Sequence, residues 1–496
     1  MTNFNNDIKN KIFFLLDLPF DDSIVVTKIE EKDGVKTIYL EKKTVPVFCP
    51  DCDIRMHSKG IYTRTIKHPV LQDSTLIVLK ILQRRWKCPV CGTTVNDEFT
   101  FVNPGKQSTN ITDLMVLNDM KDLNRTTRSI GEQFFLSDTQ VHDLFTSYVD
   151  LPRLPLPEYI SIDEVYLKPN LNDKYAFVIM DFVSGEPVDI VHNRLTNTLE
   201  AYFSSIPIDE RKNVKGIISD AYKPYLNTVP DYFPNSVSIL DSFHTSKYII
   251  NLLNVFVNKL MKQYKAKDKK RWEEKAKKLN REIIKGKYSR EVILLQNYRW
   301  VLLKNYDDIS HSTYTYYHKL LGMNVNTYQI EKMFFDIDPR LKRYHELKEK
   351  YIQFNNSTYE SEEEIKQTID NLIGTYASSQ DEIFIDFGMF LKSHAEEIIR
   401  SFTTIQVTRK TKDDNEAYYA RLSNGLMESF NRKPKDYKRS TRGSSNFDYT
   451  RNRILWATRK NPSIRGIPKS RAEIHSYRLS RSTAKKRSKT YKTKNK

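Results

Sequence analysis

The sequence has few cysteines and lacks long hydrophobic runs. Its 496 residues include 4 cysteines, and all of them fall into two close pairs. Pairs of this kind in a long chain favour metal binding over a disulfide framework. No run of about 18 apolar residues occurs, so no transmembrane helix is expected. The N-terminus also lacks the basic-then-apolar layout of a secretory signal, so we expect a cytoplasmic protein without a membrane partner.

The chain carries a surplus of positive charge. Lys and Arg total 80 against 62 Asp and Glu, which gives a net charge of +18, and 12% of the residues are aromatic. A basic, aromatic-rich chain favours nucleic acid or another anionic surface as its partner, although a high lysine content can also be compositional drift. The length predicts roughly three or four domains.

The stretch Tyr159 to Lys168 (YISIDEVYLK) has largely apolar or β-branched residues on both sides of an Asp-Glu pair. This pattern predicts a buried strand with Asp163 and Glu164 in its middle, on opposite faces. An ionised Asp inside a sheet is costly unless a metal ion or a partner neutralises it. Asp163 is therefore the first candidate for a functional site.

Two further carboxylates are candidates for the same site. Asp220 ends a second predicted strand, and Glu428 lies far downstream in the segment Leu422 to Asn431. Carboxylate oxygens suit Mg²⁺, and three that converge could hold two ions about 4 Å apart for in-line attack on a phosphodiester. The alternative is structural, because an Asp at a strand end commonly forms a turn or caps a helix, and a helical Glu commonly faces solvent.

Five sequence blocks contain or flank these residues: ISIDEVYLK, KYAFVIMDFVSG, GIISDAYKPYLNTVPDYFPN, DSFHTSKY and SNGLMESFN. In their order and spacing they resemble the blocks of bacterial insertion-sequence transposases of the Asp-Asp-Glu class, specifically the ISL-three family. The resemblance runs from the first cysteine pair to about Trp456 and so covers most of the chain.

The resemblance implies an RNase H-like core in which Asp163, Asp220 and Glu428 are catalytic and bind two Mg²⁺ (or Mn²⁺) ions. It also implies cleavage at the terminal inverted repeats of an insertion sequence and joining of the 3′-hydroxyl ends to target DNA. The expected partners are double-stranded DNA and further copies of the chain, because a dimer or larger assembly must hold two ends together. The expected location is the bacterial nucleoid.

The chain from 159 onward predicts three strands, a helix, a strand, a helix and a strand, which is the RNase H-like order. These elements are Tyr159–Lys168, Lys174–Val183, Pro187–His192, Thr196–Ile206, Val214–Ser219, Pro224–Tyr232 and Val237–Leu240. We assign residues 151–245 to the first part of this core, and the proline-rich linker at 151–157 marks its boundary. Residues 246–410 read as an all-helical insertion and 411–460 as the second part of the core with Glu428. A basic tail at 461–496 is expected to be disordered.

Asp241 and His244 form an Asp-x-x-His sequence after the last predicted strand, and it resembles a signature of several transposase groups. His244 could orient a carboxylate or contact DNA, and a packed or capping histidine is an equally open interpretation. Family members often read Glu-Gly-x-Asn around the catalytic Glu. Here Ser429 replaces the glycine and Asn431 is kept. Ser423 or Asn424 can cap the helix that carries Glu428.

Residues 1–105 predict a β-rich zinc-binding module. Two Cys-x-x-Cys knuckles can complete one tetrahedral, structural Zn²⁺ site, and a redox pair is the alternative. The four ligands are Cys49, Cys52, Cys88 and Cys91. His57 and His68 are possible substitutes, although a surface position is the better interpretation. Arg84 and Arg85 could contact phosphates or could belong to a solvated strand face.

Residues 106–150 predict a helix-turn-helix DNA-binding domain. Two helical segments, 124–135 and 138–149, flank a Leu-Ser turn, and Ser137 with Gln140 fits a capping box. In the second helix Thr139, Gln140 and His142 are best placed to reach base edges. Any helical hairpin gives a similar pattern, so the position beside a zinc module supports this interpretation.

A basic surface is predicted downstream of Glu428. Its members are Lys433, Lys435, Lys438, Arg439 and Arg442. A stand-alone RNase H-like nuclease or resolvase, and a non-catalytic DNA-binding regulator, are the alternative functions. The N-terminal modules argue against a resolvase, because a resolvase needs no sequence reader, and the three candidate carboxylates argue against a regulator.

Overall fold

The computed structural model describes residues 2–68, 76–168, 174–283, 286–409, 418–441, 446–470 and 472–474. The chain divides into two compact units. The first comprises Met1–Arg153, Tyr166–Tyr175 and Arg432–Lys496, and the second comprises Leu154–Val165 and Ala176–Asn431. The border after Arg153 falls inside the proline-rich segment. The four cysteines and the predicted helix-turn-helix lie in the first unit, and the three candidate carboxylates lie in the second.

The first unit begins with a helix and a mixed sheet. Its elements are α1 (Thr2–Leu15), β1 (Ile24–Lys32), β2 (Val35–Lys42), β3 (His57–His68), β4 (Leu76–Lys87) and β5 (Thr94–Asn96). The strand order is β1-β2-β4-β3, with β5 paired to β4. Asp33 and Gly34 join β1 to β2 with φ angles of 54° and 73°, as a two-residue hairpin turn requires. Leu79 and Ile81 of β4 pack with Phe13 in the core beneath the sheet.

Helices complete the first unit. They are α2 (Asn110–Asp119), α3 (Thr127–Phe134) and α4 (Asp138–Tyr148). The predicted capping box is confirmed, because Ser137 and Gln140 each accept the other's backbone N–H through their side chains. Phe135 ends α3 in the left-handed conformation. The turn also needs Gly131, since a Cβ there would lie 2.5 Å from the Leu136 carbonyl oxygen.

The second unit is built on a five-stranded sheet. Its elements are β6 (Tyr159–Tyr166), β7 (Tyr175–Asp181), β8 (Pro187–Val191), α5 (Thr196–Ser204), α6 (Ile208–Lys212), β9 (Gly216–Ser219), α7 (Lys223–Tyr232) and β10 (Val237–Leu240). The order is β10-β9-β6-β7-β8, so β6 is central. Strands β6, β9 and β10 pair in parallel, and β7 pairs with β8 antiparallel. The predicted elements are confirmed within a few residues, and the short helix α6 was not predicted.

A long helical segment follows the sheet. Its elements are α8 (Ser242–Lys278), α9 (Arg290–Asn297), α10 (Trp300–Leu303), β11 (Tyr316–His318), β12 (Met323–Val325), α11 (Thr327–Phe335), α12 (Pro339–Asn356), α13 (Glu362–Ala377), α14 (Glu382–Ser393) and α15 (Ala395–Arg400). The prediction of an all-helical insertion is wrong at β11 and β12, where β-forming residues flank a turn at Gly322 with φ 69°. Leu240 of β10 shares the core of these helices, so the segment packs onto the sheet edge.

The chain returns to the sheet through β13 (Thr404–Val407), β14 (Tyr418–Arg421) and α16 (Gly425–Ser440), and α17 (Phe447–Thr458) follows. Val407 and Leu422 pack with Phe182 and Ile218 on one face of the sheet. The opposite face packs against α5 and α7. Residues on β6 therefore alternate between two differently covered faces.

The predicted disorder of the tail does not hold at its start. The backbone N–H of Arg465 donates to Tyr148, and that of Lys469 donates to Ser147, at 2.8 and 2.9 Å. Both side chains also pair with Asp150. Charge pairing with the end of α4 therefore orders this part, while residues 475–496 lie outside the described residues.

Candidate active site and metal centre

Asp163 lies half-buried on the central strand β6. Its Oδ1 accepts the backbone N–H of Glu164, and its Oδ2 accepts a hydrogen bond from Asn431 Nδ2, both at 2.8 Å. Burial raises the pKa of Asp163 to about 6, and the charges of Glu164 and Asp220 act in the same direction, while His244 opposes them. A carboxylate whose charge is this poorly compensated suits a site that receives a cation.

Asp220 follows β9 directly, on the strand that pairs in parallel with β6. Ser161 is paired with Ile218, so Asp163 and Asp220 each come two residues further along neighbouring strands. Adjacent strands lie about 4.8 Å apart, which places the two carboxylates at the same level of the sheet. Asp220 Oδ1 also accepts the N–H of Tyr222 at 3.1 Å. The turn-forming role considered from sequence is therefore present as well.

Glu428 lies in the first turn of α16 and is half-buried. Its backbone N–H donates to the Asn424 carbonyl at 3.1 Å. Asn431 comes three residues later, on the same side of the helix, and contacts Asp163. The helix therefore turns the side that bears Glu428 towards the strand that bears Asp163.

The three carboxylates are not drawn together to ligand distance. In the described part of the chain, only the four cysteines form a group of three or more Asp, Glu, His or Cys ligand atoms within 4.8 Å of one another. The roles of Asp163, Asp220 and Glu428 as catalytic metal ligands thus remain a prediction.

Residues on β6 or linked to it by hydrogen bonds carry buried oxygens without a partner in the described part of the chain. Ser161 Oγ, Asp241 Oδ2 and the Oδ1 atoms of Asn424 and Asn431 have no hydrogen-bond partner among the described residues. Asp241 is fully buried, and burial raises its pKa. His244 Nε2 lies 3.9 Å from Asp241 Oδ2. A donor set of oxygens fits Mg²⁺ or Mn²⁺ rather than a softer metal.

Glu164 faces the other side of β6. It forms an ion pair with Arg194, and its Oε2 accepts a hydrogen bond at 2.9 Å from the hydroxyl of buried Tyr225. Burial raises the pKa of Glu164. These contacts assign Glu164 to the packing of α7 against the sheet.

We expect Glu164→Ala to lower stability with little loss of cleavage per folded molecule. The change leaves the Tyr225 hydroxyl without its acceptor, at a cost of about 1–3 kcal/mol. Glu164→Gln keeps an acceptor for Tyr225 and should lose less. Thermal melting compared with cleavage rates checks this, and a folded Glu164→Ala protein that cannot cleave would contradict it.

Two chain reversals bring the four cysteines together in the first unit. The Sγ distances are 3.5 Å for Cys49–Cys91, 3.4 Å for Cys52–Cys88 and 3.7 Å for Cys52–Cys91. A tetrahedral zinc site with bonds of about 2.3 Å has sulfur atoms about 3.8 Å apart. The cluster could therefore hold a zinc ion.

The backbone around the cysteines is shaped for metal knuckles. Asp53 and Gly92, each one residue after a cysteine pair, have φ angles of 53° and 77°. Val90 N–H points at Cys88 Sγ at 3.4 Å. Such N–H contacts stabilise thiolate ligands, which supports the metal interpretation over a redox pair.

The other candidate residues of the zinc module differ in their exposure to solvent. His68 is buried and pairs with Thr109 Oγ1 at 3.0 Å, so the surface position expected for it is wrong, because the end of β3 packs against α2. His57 is exposed at the start of β3. Arg84 pairs with Glu41 at 3.3 Å, whereas Arg85 is exposed.

The candidate base-reading residues differ in availability. Thr139 is exposed, while Gln140 uses its Oε1 to accept the Ser137 N–H at 2.8 Å in the capping box. His142 stacks on Tyr449 with ring centroids 4.4 Å apart. Thr139 is therefore the freest of the three to meet DNA.

The predicted basic surface is partly engaged. Lys433 and Lys435 are exposed on α16, and Arg439 pairs with Asp436 at 2.8 Å. Lys438 lies 3.9 Å above the Tyr166 ring, and burial lowers its pKa. Arg442 lies outside the described residues.

The sequence does not predict that Asn424 and Asn431 contact the strand of Asp163. Asn431 was noted only as part of a motif, and Asn424 was considered as a side-chain cap. Among the described residues Asn424 Oδ1 has no hydrogen-bond partner, and Asn424 Nδ2 donates to the Ile162 carbonyl, so the side-chain capping role of Asn424 is wrong. The spacing of Asn431 from Glu428 was the available signal.

Comparison with known families defines the class of the protein as a transposase. A family model described as Transposase, DDE_Tnp_ISL3, matches residues 160–454, more than half of the chain. The chain therefore belongs to the ISL-three family of DDE transposases. No curated protein gave a significant match. In the residues that the structure describes, every helix is too short or too polar to cross a membrane.

Proposed function

We propose that this transposase binds the terminal inverted repeats of an insertion sequence, cleaves the ends and joins their 3′-hydroxyls to target DNA. The observation that carries the proposal is Asp163, a half-buried carboxylate beside Asp220 and linked through Asn431 to the helix of Glu428. The central position of β6 and the order β10-β9-β6-β7-β8 support an RNase H-like assignment.

In this proposal Asp163, Asp220 and Glu428 hold two Mg²⁺ (or Mn²⁺) ions, which supply Lewis-acid activation of water and neutralise phosphate charge. The protein's own part is positioning. Asn431 orients one oxygen of Asp163, and the Glu164 N–H fixes the other. These two hydrogen bonds would hold the Asp163 carboxylate in a fixed orientation while the phosphodiester is aligned for in-line attack.

Recognition is assigned to the first unit. The cysteine cluster would hold one structural zinc, and α3 and α4 would form the helix-turn-helix that reads the repeats. Exposed Lys433 and Lys435 on α16 would contact phosphates. A dimer or larger assembly would bring the two ends together.

The test is cleavage of a duplex that carries the element's own ends. Purified protein should cut it only when Mg²⁺ or Mn²⁺ is present, and mapping should place the cuts at the repeat boundary. Equal cutting of branched DNA without repeats would favour a resolvase. Repeat binding without any cutting would favour a regulator.

We expect specificity to reside in α4. Gln140→Glu keeps the Ser137 N–H acceptor, because Glu also fits a capping box, and it places a negative charge where an amide would meet a base. It should weaken the binding free energy by about 1–3 kcal/mol on the cognate end and by far less on random DNA. Gel-shift titrations on both DNAs measure this, with Glu132→Gln on exposed α3 as the control. Unchanged discrimination would rule out a reading role.

Affinity should depend on spread-out basic residues, including the nine Lys and Arg of 475–496. A chain that stops at Ile474 keeps the contacts of Lys469 with Ser147 and Asp150. It should bind all DNA more weakly and with a shallower salt dependence, because fewer counterions are released. Binding titrations at two salt concentrations check this. A loss restricted to cognate DNA would contradict it.

A further inference from the structure

Two buried polar residues join three distant parts of the second unit. Asp241, at the junction of β10 and α8, accepts the backbone N–H of Asn424 through Oδ1 at 2.9 Å. The Asn424 side chain donates through Nδ2 to the Ile162 carbonyl at 3.0 Å. Their exposed fractions are 0% and 1%. These contacts span 183 and 262 residues of sequence.

The contacts fix both the start and the direction of α16. Asn424 precedes the helix, and its carbonyl accepts the Glu428 N–H at 3.1 Å. Ile162 precedes Asp163 on β6, and Asp241 N–H is bound to the Ser219 carbonyl, next to Asp220, at 2.9 Å. Each of these hydrogen bonds, which form the arms of the arrangement, therefore ends one residue or one helical turn from a candidate catalytic carboxylate.

We propose that Asp241 and Asn424 are positioning residues that hold the Glu428 helix in register with the strands of Asp163 and Asp220. The proposal rests on the proposed function for its catalytic meaning. It gives the Asp of the Asp-x-x-His sequence a defined partner, the backbone of Asn424. It also explains how Glu428, separated from Asp220 by more than two hundred residues, is returned to one place.

The hydrogen bonds of Asp241 and Asn424, which together we call the clamp, are buried and therefore rigid. A hydrogen bond to a buried carboxylate is strong, and loss of one partner leaves the other unsatisfied. Three variants separate its parts. Asp241→Ala removes the acceptor, Asp241→Asn keeps an acceptor oxygen without the charge, and Asn424→Ala removes only the arm to Ile162.

The first measurement is hydrogen exchange of the metal-free protein over 424–431. Asp241→Ala should speed exchange of the Asn424 amide and the first turn of α16 by about 10- to 100-fold, as expected for loss of a hydrogen bond to a charged group. Asp241→Asn should restore protection. Asp338→Ala, which removes the capping carboxylate of α12 in the same unit, controls for general destabilisation and should leave 424–431 unchanged.

The second measurement is end cleavage as a function of Mg²⁺ concentration. Asp241→Ala and Asn424→Ala should require more Mg²⁺ for half-maximal rate and recover part of their activity at high Mg²⁺, because Glu428 is misplaced rather than lost. Asp241→Asn should stay near wild type. The Asp338→Ala protein should show a normal Mg²⁺ dependence. If Asp241→Ala acted only through general destabilisation, its Mg²⁺ dependence would be normal too.

The outcomes are distinct. Restored protection with no restored cleavage in Asp241→Asn would make the charge of Asp241 essential, which overturns a purely positioning role. Unchanged exchange in Asp241→Ala would overturn the clamp itself. Failure of the wild-type protein to cleave its ends would refute the proposed function, while the exchange measurement would still decide whether the clamp exists.

Discussion

Asp163→Asn should abolish cleavage of transposon ends and, in metal-free buffer at pH 8, raise the melting temperature of the second unit. The carboxylate is half-buried beside other acids, so its charge is unfavourable in the absence of a cation. Asn has the same shape without the charge. Asn431 can adapt by rotating its amide, because its Oδ1 has no hydrogen-bond partner among the described residues and could accept the new Nδ2–H.

The pH dependence of this gain follows from the raised pKa. Burial moves the pKa of Asp163 from 3.8 to about 6 in the folded protein, so the folded state binds the proton more tightly than the unfolded chain. The ionised form therefore costs stability above pH 6, on the order of 1–3 kcal/mol. That cost disappears as the pH falls from about 6 towards 4, and so should the advantage of the Asn variant.

Melting curves at pH 5 and pH 8 with EDTA, together with cleavage assays, measure both effects. Asp220→Asn and Glu428→Gln should also lose cleavage while all three variants still bind ends. Asp209→Asn, at an exposed carboxylate of the same unit, should change neither property. Full cleavage by one of the three variants would remove that residue from the site. A lower melting temperature of Asp163→Asn at pH 8 would refute the electrostatic account.

The sheet of the second unit was predictable because each strand has a recognisable pattern within a short stretch of sequence. Strand β6 is a largely apolar run that contains Asp163 and Glu164, and β9 ends directly before Asp220 and a turn. Given a central β6, adjacency of Asp163 and Asp220 follows from parallel pairing. The knuckle cysteines were predictable for the same reason, since their spacing is local.

The contacts that position Glu428 were not predictable from local patterns. Asn424 is of a residue type that commonly caps helices, yet its side-chain amide donates to the carbonyl of a strand residue 262 positions away. Asp241 lies between β10 and α8, and its buried Oδ1 accepts the backbone N–H of Asn424, the residue before α16. Local propensity gives the residue type, whereas tertiary packing decides which of several available partners it meets.

Gln140 shows the same limit within one turn of helix. Its capping-box role and its base-reading role were both compatible with the sequence, and the structure shows the capping contact. One oxygen cannot fully serve both. The variant that separates the roles therefore has to preserve the acceptor, as Glu does.

Cys88→Ser should release the metal and unfold both knuckles. Cys88 is fully buried, and the small core at this end of the sheet contains little beyond the cysteines, Met56 and Trp86. A core of that size cannot order two loops alone, so we expect metal binding to contribute most of their folding free energy, about 10 kcal/mol or more for comparable sites. Purified wild-type protein should contain one zinc per chain.

Elemental analysis and hydrogen exchange test this expectation together. In Cys88→Ser, or after chelation, amides of 47–56 and 86–95 should lose protection and end binding should weaken. The core around Phe13 and Leu79 and the whole second unit should keep their protection, because they pack without the cysteines. Arg85→Ala, an exposed change on β4, should retain zinc and protection. Protein purified in reducing buffer with no zinc and protected knuckles would show that the four thiols hold this end of the sheet without a metal.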